Sequence, residues 1–297
     1  MIPFRRLRRS LAVFGLVLAA PAAFVRGQAP AAKYADVAEA IRTAGLRGEY
    51  ATTLLERLTS AAGPRLTGSP AAAAAVQWAR TMMGELGFET WLEPVTVQHW
   101  VRGGETARIV RPARPGLPAL PIAALGLSVT TPPGGISAPV VEVHSFEELR
   151  TLGLAVKGRI VFYNTPMDPR PLDTFQAYGG AVQFRSRGTS EAAKLGAAAV
   201  LVRSVTLRTD DHPHAGMVAY EADAPKIPAA AISTRGADTG PLARQGAVLM
   251  GFVPDSQKYF DYHHSALDVL SAVHPRELEL GAIVMAIFAY VTAQEGI

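Results

Sequence analysis

The chain has 297 residues, 49% hydrophobic and 18% charged, with 27 glycines, 22 prolines and no cysteine. That content excludes a disordered chain, a coiled coil and a disulfide-stapled miniprotein, and leaves His, Asp and Glu as the only strong metal ligands. The formal charge of +4 rests on five arginines within residues 1–27; beyond them 24 basic residues face 25 acidic ones, which gives no support to a nucleic-acid partner.

Residues 1–28 read as a secretory signal. Arg5, Arg6, Arg8 and Arg9 precede an apolar stretch from Leu11 to Val25, and small residues follow. The stretch is about 15 residues long and holds Pro21, short of the ~20 that a membrane span needs. An uncleaved anchor is the other reading. Export to the periplasm or the extracellular space is the expectation, with no stable membrane span once the signal is removed.

Residues 34–62 read as one or two helices, with Leu54, Leu55 and Leu58 at helical spacing and Gly63-Pro64 as the stop. Ser69 caps a further helix that opens at Pro70, carries Ala74, Trp78, Met82 and Leu86 as its stripe, and ends at Gly87. Phe88–Trp100 alternates like a strand. From Gly103-Gly104 to about residue 137 the chain is rich in proline, glycine and short apolar pairs. Strands are expected at Val140–Val143, Arg159–Tyr163, Ala198–Val202 and Ile227–Ser233, with a short helix at Ser190–Leu195. Together these describe a small mixed, β-rich region. Residues 275–295 form a final helix, introduced by Pro275 with Glu277 and Glu279 near its start. Its stripe of Ile283, Val284, Ile287, Phe288 and Val291 reads as that of a core helix, with a membrane tail the lesser reading at this length.

Two histidine groups are candidates for chemistry. Asp210-Asp211-His212-Pro213-His214 is compact, but adjacent residues cannot all face one ion, and a solvated loop is the simpler reading. In Asp261-Tyr262-His263-His264-Ser265-Ala266-Leu267-Asp268, a carboxylate four residues after a histidine could orient its imidazole, although a surface turn accounts for the same residues. No nucleophile elbow, phosphate-binding loop, H-E-x-x-H helix or dinucleotide fingerprint occurs.

Taken together, longer stretches carry a resemblance. GPRLTGSP (63–70) and LEPVTVQHWVRGGE (92–105) resemble the N-terminal part of the carboxypeptidase Q family of secreted, co-catalytic zinc exopeptidases. KGRIVFYN (157–164), the run from Tyr178 to Thr206 and the run from Pro213 to Ser233 resemble that family's inserted protease-associated domain. LMGFVPDSQKYFDYHHSALDVL (249–270) is similar to its C-terminal end. The resemblance implies an α/β fold: part of an α/β/α zinc-exopeptidase domain with an inserted β-rich protease-associated domain. It divides the chain into a signal (1–28), an N-terminal peptidase part (29–105), a protease-associated part (106–237) and a C-terminal peptidase part (238–297).

The family implies two zinc ions that activate a water against a peptide carbonyl, a short-peptide substrate and, as an open option, a homodimer. Of its metal ligands only the last finds a match, His264, with Asp268 behind it. No G-H-x-D-S strand end, no D-D-G-x-G loop and no suitably placed Glu pair is present. Glu147-Glu148 lies in the protease-associated part, capping a short helix. A segment of roughly 150–200 residues, domain-sized, is missing near residue 238. The resemblance therefore implies a zinc exopeptidase without activity in this chain, or a remnant whose protease-associated part binds a protein or peptide. With no central sheet to cover, the helices at 70–87 and 275–295 should expose their stripes or pack on each other.

Overall fold

The N-terminal sequence breaks into helices where its caps predict. A computed structural model describes residues 33–108, 110, 120–208, 212–232 and 258–296. The signal at 1–28, Asp210, Asp211 and the junction near 238 lie outside the described residues. Helices α1 (Ala35–Arg47) and α2 (Tyr50–Ala62) part at Gly48, whose N–H still bonds Ala44 O at 3.1 Å. Gly63, at φ +51°, ends α2, a conformation that glycine adopts without a Cβ penalty. Helix α3 (Pro70–Glu85) starts as expected, with Ser69 Oγ accepting from Ala72 N at 3.1 Å and proline in the first turn.

The middle of the chain builds one five-stranded sheet. Its strands are β1 (Ala123–Ala124), β2 (Val140–Val143), β3 (Ile160–Tyr163), β4 (Ala199–Arg203) and β5 (Ala229–Ile232), in the order β1-β5-β4-β3-β2. Strands β2 to β5 are parallel and β1 is antiparallel at the edge. One row across the sheet reads Val141, Val161, Val200, Ala229, and these small or β-branched residues pack a dry face.

Parallel neighbours need crossovers, so the region is less β-rich than its sequence pattern suggests. Helix α4 (Phe146–Leu152), with the 3-10 turn Gly153–Val156, joins β2 to β3; α5 (Thr174–Ser186) and α6 (Gly188–Lys194) join β3 to β4. Ser145 Oγ accepts from Glu148 N at 3.0 Å while Glu148 Oε2 accepts from His144 N at 2.6 Å, which makes the Glu147-Glu148 pair a helix start. Leu125, Val143, Leu149, Val156 and Val161 are fully buried between sheet and helices. Tyr163 is buried with them: its hydroxyl donates to Gly188 O at 2.8 Å, and desolvation pushes the phenol far above its ordinary pKa.

A second, smaller cluster ties the tail to this region. Helix α7 (Tyr259–Tyr262) inserts Phe260 against Met167, Ala177, Ala181 and Val205, with its ring stacked on Tyr178 at 4.7 Å. Thr206 Oγ1 donates to Phe260 O at 2.9 Å. Helix α8 (Pro275–Glu295) then returns to pack on α1 and α2, while α2 packs on α3. Pro275 stands in its first turn as expected.

The reading of α8 as a core helix needs correction. Only Glu279 and Ile283 are buried, and Leu280, Val284, Met285 and Phe288 remain exposed, because α1 and α2 cover one face and no described element covers the other. Among the described residues it is the one helix long and apolar enough to cross a membrane. Of the two anticipated fates, exposure is the one observed: Ala74 and Leu86 of the 70–87 stripe are exposed too, while α3 and α8 each pack on α2. The strand expected at Phe88–Trp100 also differs: residues 88–106 run without a turn or bend but join no ladder.

Where α1 crosses α8, Gly45 leaves the space that the Ile283 side chain fills, and a Cβ there would land on Ile283. Helix propensity alone would favour Gly45→Ala by about 1 kcal/mol. Overpacking costs ~1–3 kcal/mol and outweighs it, so Gly45→Ala should lower stability in urea unfolding. Shortening the partner with Ile283→Val should recover part of the loss.

Candidate functional site

Among the described residues, the turn after α7 gathers His263, His264 and Asp268 around one concavity. That helix lasts one turn because His263 leaves it at φ −50°, ψ 117° and His264 takes φ +59°, a left-handed conformation rare for a side chain of this size. Ser265 closes the turn: its hydroxyl donates to Tyr262 O at 2.9 Å and accepts from Leu267 N at 3.1 Å. Asp268 N then bonds Ser265 O at 3.1 Å, which brings residue 268 back under residue 264.

The result is a concavity of about 350 Å³ that His264 and Asp268 line together with Tyr259, Tyr262, His263 and Val273. The two imidazoles lie 4.6 Å apart, and the His263 ring rests 4.1 Å from that of Tyr259. His263 and Tyr262 belong to the group that the sequence offered, whereas Tyr259 is a lining residue outside it. The signal for Tyr259 was its place three residues before Tyr262 in the same run.

The second histidine group behaves differently from its reading. His214 is fully buried, not on a solvated loop, and the chain just after it pairs with Gly126 through a bridge at Met217. The neighbouring Gly216 has φ +60°, and a Cβ there would stand 2.6 Å from the Arg185 guanidinium. Arg185, itself buried, donates to Tyr178 Oη at 2.6 Å, and desolvation holds its pKa below the usual value. The remaining histidines are apart from both groups. His144 Nδ1 lies 2.9 Å from Asn164 O, His274 caps α8, and His99 lies on the unpaired segment.

A hydrolytic zinc needs about three protein ligands and an open position. All seven histidines fall within the described residues. Among those residues no group of three or more His, Asp or Glu side chains could hold a metal ion. His264 and Asp268 alone therefore do not fit a catalytic zinc, and a single imidazole with a carboxylate at its side can do no more than contribute one corner of such a site.

Comparison with known proteins places these features. No family model matches the chain. It is 34% identical to carboxypeptidase Q of Mus musculus over 257 residues, covering 84% of this chain and 52% of that protein. It is 38% identical to carboxypeptidase Q of Homo sapiens over 207 residues, covering 68% and 42%. The crystal structure of a peptidase M28 precursor from Shewanella amazonensis SB2B superposes with a TM-score of 0.62 at 36% identity, covering 67% of this chain and 44% of that one. The chain spans about half the length of the curated relatives it matches.

The left-handed backbone at His264 makes a test. Glycine adopts that conformation freely, whereas for an L-residue it costs about 1–2 kcal/mol, partly offset by glycine's extra freedom when unfolded. His264→Gly should be more stable than His264→Ala by about 0.5–1 kcal/mol in chemical denaturation, and equal stability would mean that the turn relaxes.

Proposed function

The chain is a homologue of the carboxypeptidase Q peptidases over most of its own length and about half of theirs, and from that premise we propose that it is an exported, zinc-exopeptidase-derived protein that does not hydrolyse peptides by itself. Its relatives are peptidases by name, and the crystal structure it superposes on is that of an M28 peptidase precursor. His264 is the one metal-ligating histidine of this reading and Asp268 the carboxylate that orients it. The observation that carries it is the donor set: of seven histidines His263 and His264 share a concavity with Asp268, yet among the described residues no group of three His, Asp or Glu side chains could hold one ion.

In this reading the zinc would supply a metal-activated water, and His264 would hold one metal position only when further ligands are provided. The chain's own contribution is to fix that imidazole. The α7 turn does so by anchoring Phe260 on α5, four residues before His264. A short peptide is the substrate class of the parent activity, and the arginine-rich leader is the export signal.

The alternative, a binding module, draws on a different observation. Residues 120–232 enclose their own core of Leu125, Val143, Leu149, Val161 and Val200, so this part has what it needs to fold without the rest. It lies within the 106–237 stretch read as a protease-associated domain, and its role would be to bind a protein or a peptide.

The decisive experiment measures metal and turnover on the purified chain. Less than one tightly held zinc per chain, and no amino-acid release from dipeptides in added zinc, is the expected outcome. Two tightly bound zincs, with dipeptide hydrolysis that is abolished in His264→Ala, would overturn the proposal.

A further inference from the structure

The stripe that α8 leaves open has a fixed place relative to the start of α1. Leu280, Val284, Met285 and Phe288 are exposed, Phe288 by 55%, and from Leu280 to Gln294 the helix carries no charge. A continuous apolar strip of that kind marks an interaction surface. Helices α1 and α8 run antiparallel. Lys33 and Tyr34 bond Glu295 at the end of α8, the Tyr34 ring meets Tyr290 edge-on at 5.8 Å, and Gly45 lies against Ile283. Whatever precedes Lys33 therefore sets out from the C-terminal end of the stripe.

The residues before Lys33 match the stripe in length and in charge. Leu11–Val25 is fifteen residues without a charge, and so is Leu280–Gln294. Either spans about 22 Å as a helix. Arg26–Ala32 lies between the first of these and α1, seven residues with Gly27 and Pro30, the length and composition of a helix–helix connection. A leader that turned back there would run parallel to α8 and bring Leu11 level with Leu280. Beyond Leu11 stand Arg9, Arg8, Arg6 and Arg5.

The end of α8 that these arginines would meet is acidic. Glu277 heads the stripe, three residues before Leu280, and Glu56 lines a concavity with Pro275 and Leu278. Glu49 caps α2, whose Thr52 N–H donates to the buried Glu279 at 3.2 Å. Glu49, Glu56 and Glu277 form no ion pair among the described residues. With Glu279 they outnumber Arg47 and Arg276 at that end, four to two. Apolar length and charge select the same orientation.

We propose that the leader, residues 5–25, lies along the open stripe of α8 for as long as it remains attached. Pro21 kinks such a helix but leaves both its halves apolar. The chain with its leader and the chain without it then present different surfaces, and the apolar face of α8 is open only in the second.

The chain has no cysteine, so Phe288→Cys places a single thiol on the stripe, and Leu154→Cys, at a residue 75% exposed in the turn before β3, serves as the reference. Cell-free translation without membranes yields the full chain with its leader in place. Relative to Leu154→Cys, its Phe288→Cys thiol should be alkylated about tenfold more slowly than in the same variant begun at residue 29. Leu16→Asp with Leu18→Asp in the full chain should restore the fast rate, a check that does not depend on the shortened chain folding well. Glu277→Lys should raise the rate partway in the full chain and leave the shortened one unchanged. Equal rates with and without residues 1–28 would overturn the proposal. So would protection that survives the two aspartates, or protection that grows with chain concentration, the mark of a second copy on the stripe.

Discussion

Backbone hydrogen bonding is the constraint that organises this molecule. A strand holds its place only when its N–H and C=O groups find partners, and four parallel strands here satisfy one another in an unbroken ladder. That ladder positions everything of functional interest. It sets α5 across one face, α5 presents Ala177, Ala181 and Tyr178 to Phe260, and Phe260 places the His264 turn. The residues from 89 to 101 have the side-chain alternation of a strand without the ladder, and they remain outside the packed part. One physical requirement, met in one place and unmet in another, separates the well-built half of the chain from the rest.

Much of the architecture was legible in the sequence where a local rule applied. Ser69-Pro70 and His274-Pro275 mark helix starts in the chain as they do in the structure, and the strands at 140–143 and 160–163 follow from β-branched runs behind Pro139 and Gly158. Helix α5 was not legible. Its Gly179-Gly180 pair argues against a helix, and its buried face includes Arg185, which blunts the apolar period. The parallel order of the sheet was equally hidden, since it depends on that unseen crossover.

The candidate site was legible only in part, and for a different reason. His264 and Asp268 stand four apart in sequence, and the left-handed turn between them brings both to one concavity. Tyr259 enters the same concavity from outside the 261–268 group, through the brevity of α7, which no sequence rule announced. The buried state of His214 was hidden as well, because it follows from a long-range bridge between Gly126 and Met217.

The contact between the first and last helices has a consequence for how the chain comes to be folded. Lys33 and Tyr34 both bond Glu295, across more than 260 residues of sequence. A chain emerges from the ribosome N-terminus first, so α1 and α2 must wait for α8 through most of synthesis, roughly 10–50 s at ordinary rates of translation. The sheet region needs no such wait, since its strands and crossovers lie within about a hundred consecutive residues. Folding should therefore begin in the middle and close at the ends, and for that interval the helices most in need of cover are the ones a chaperone would meet first.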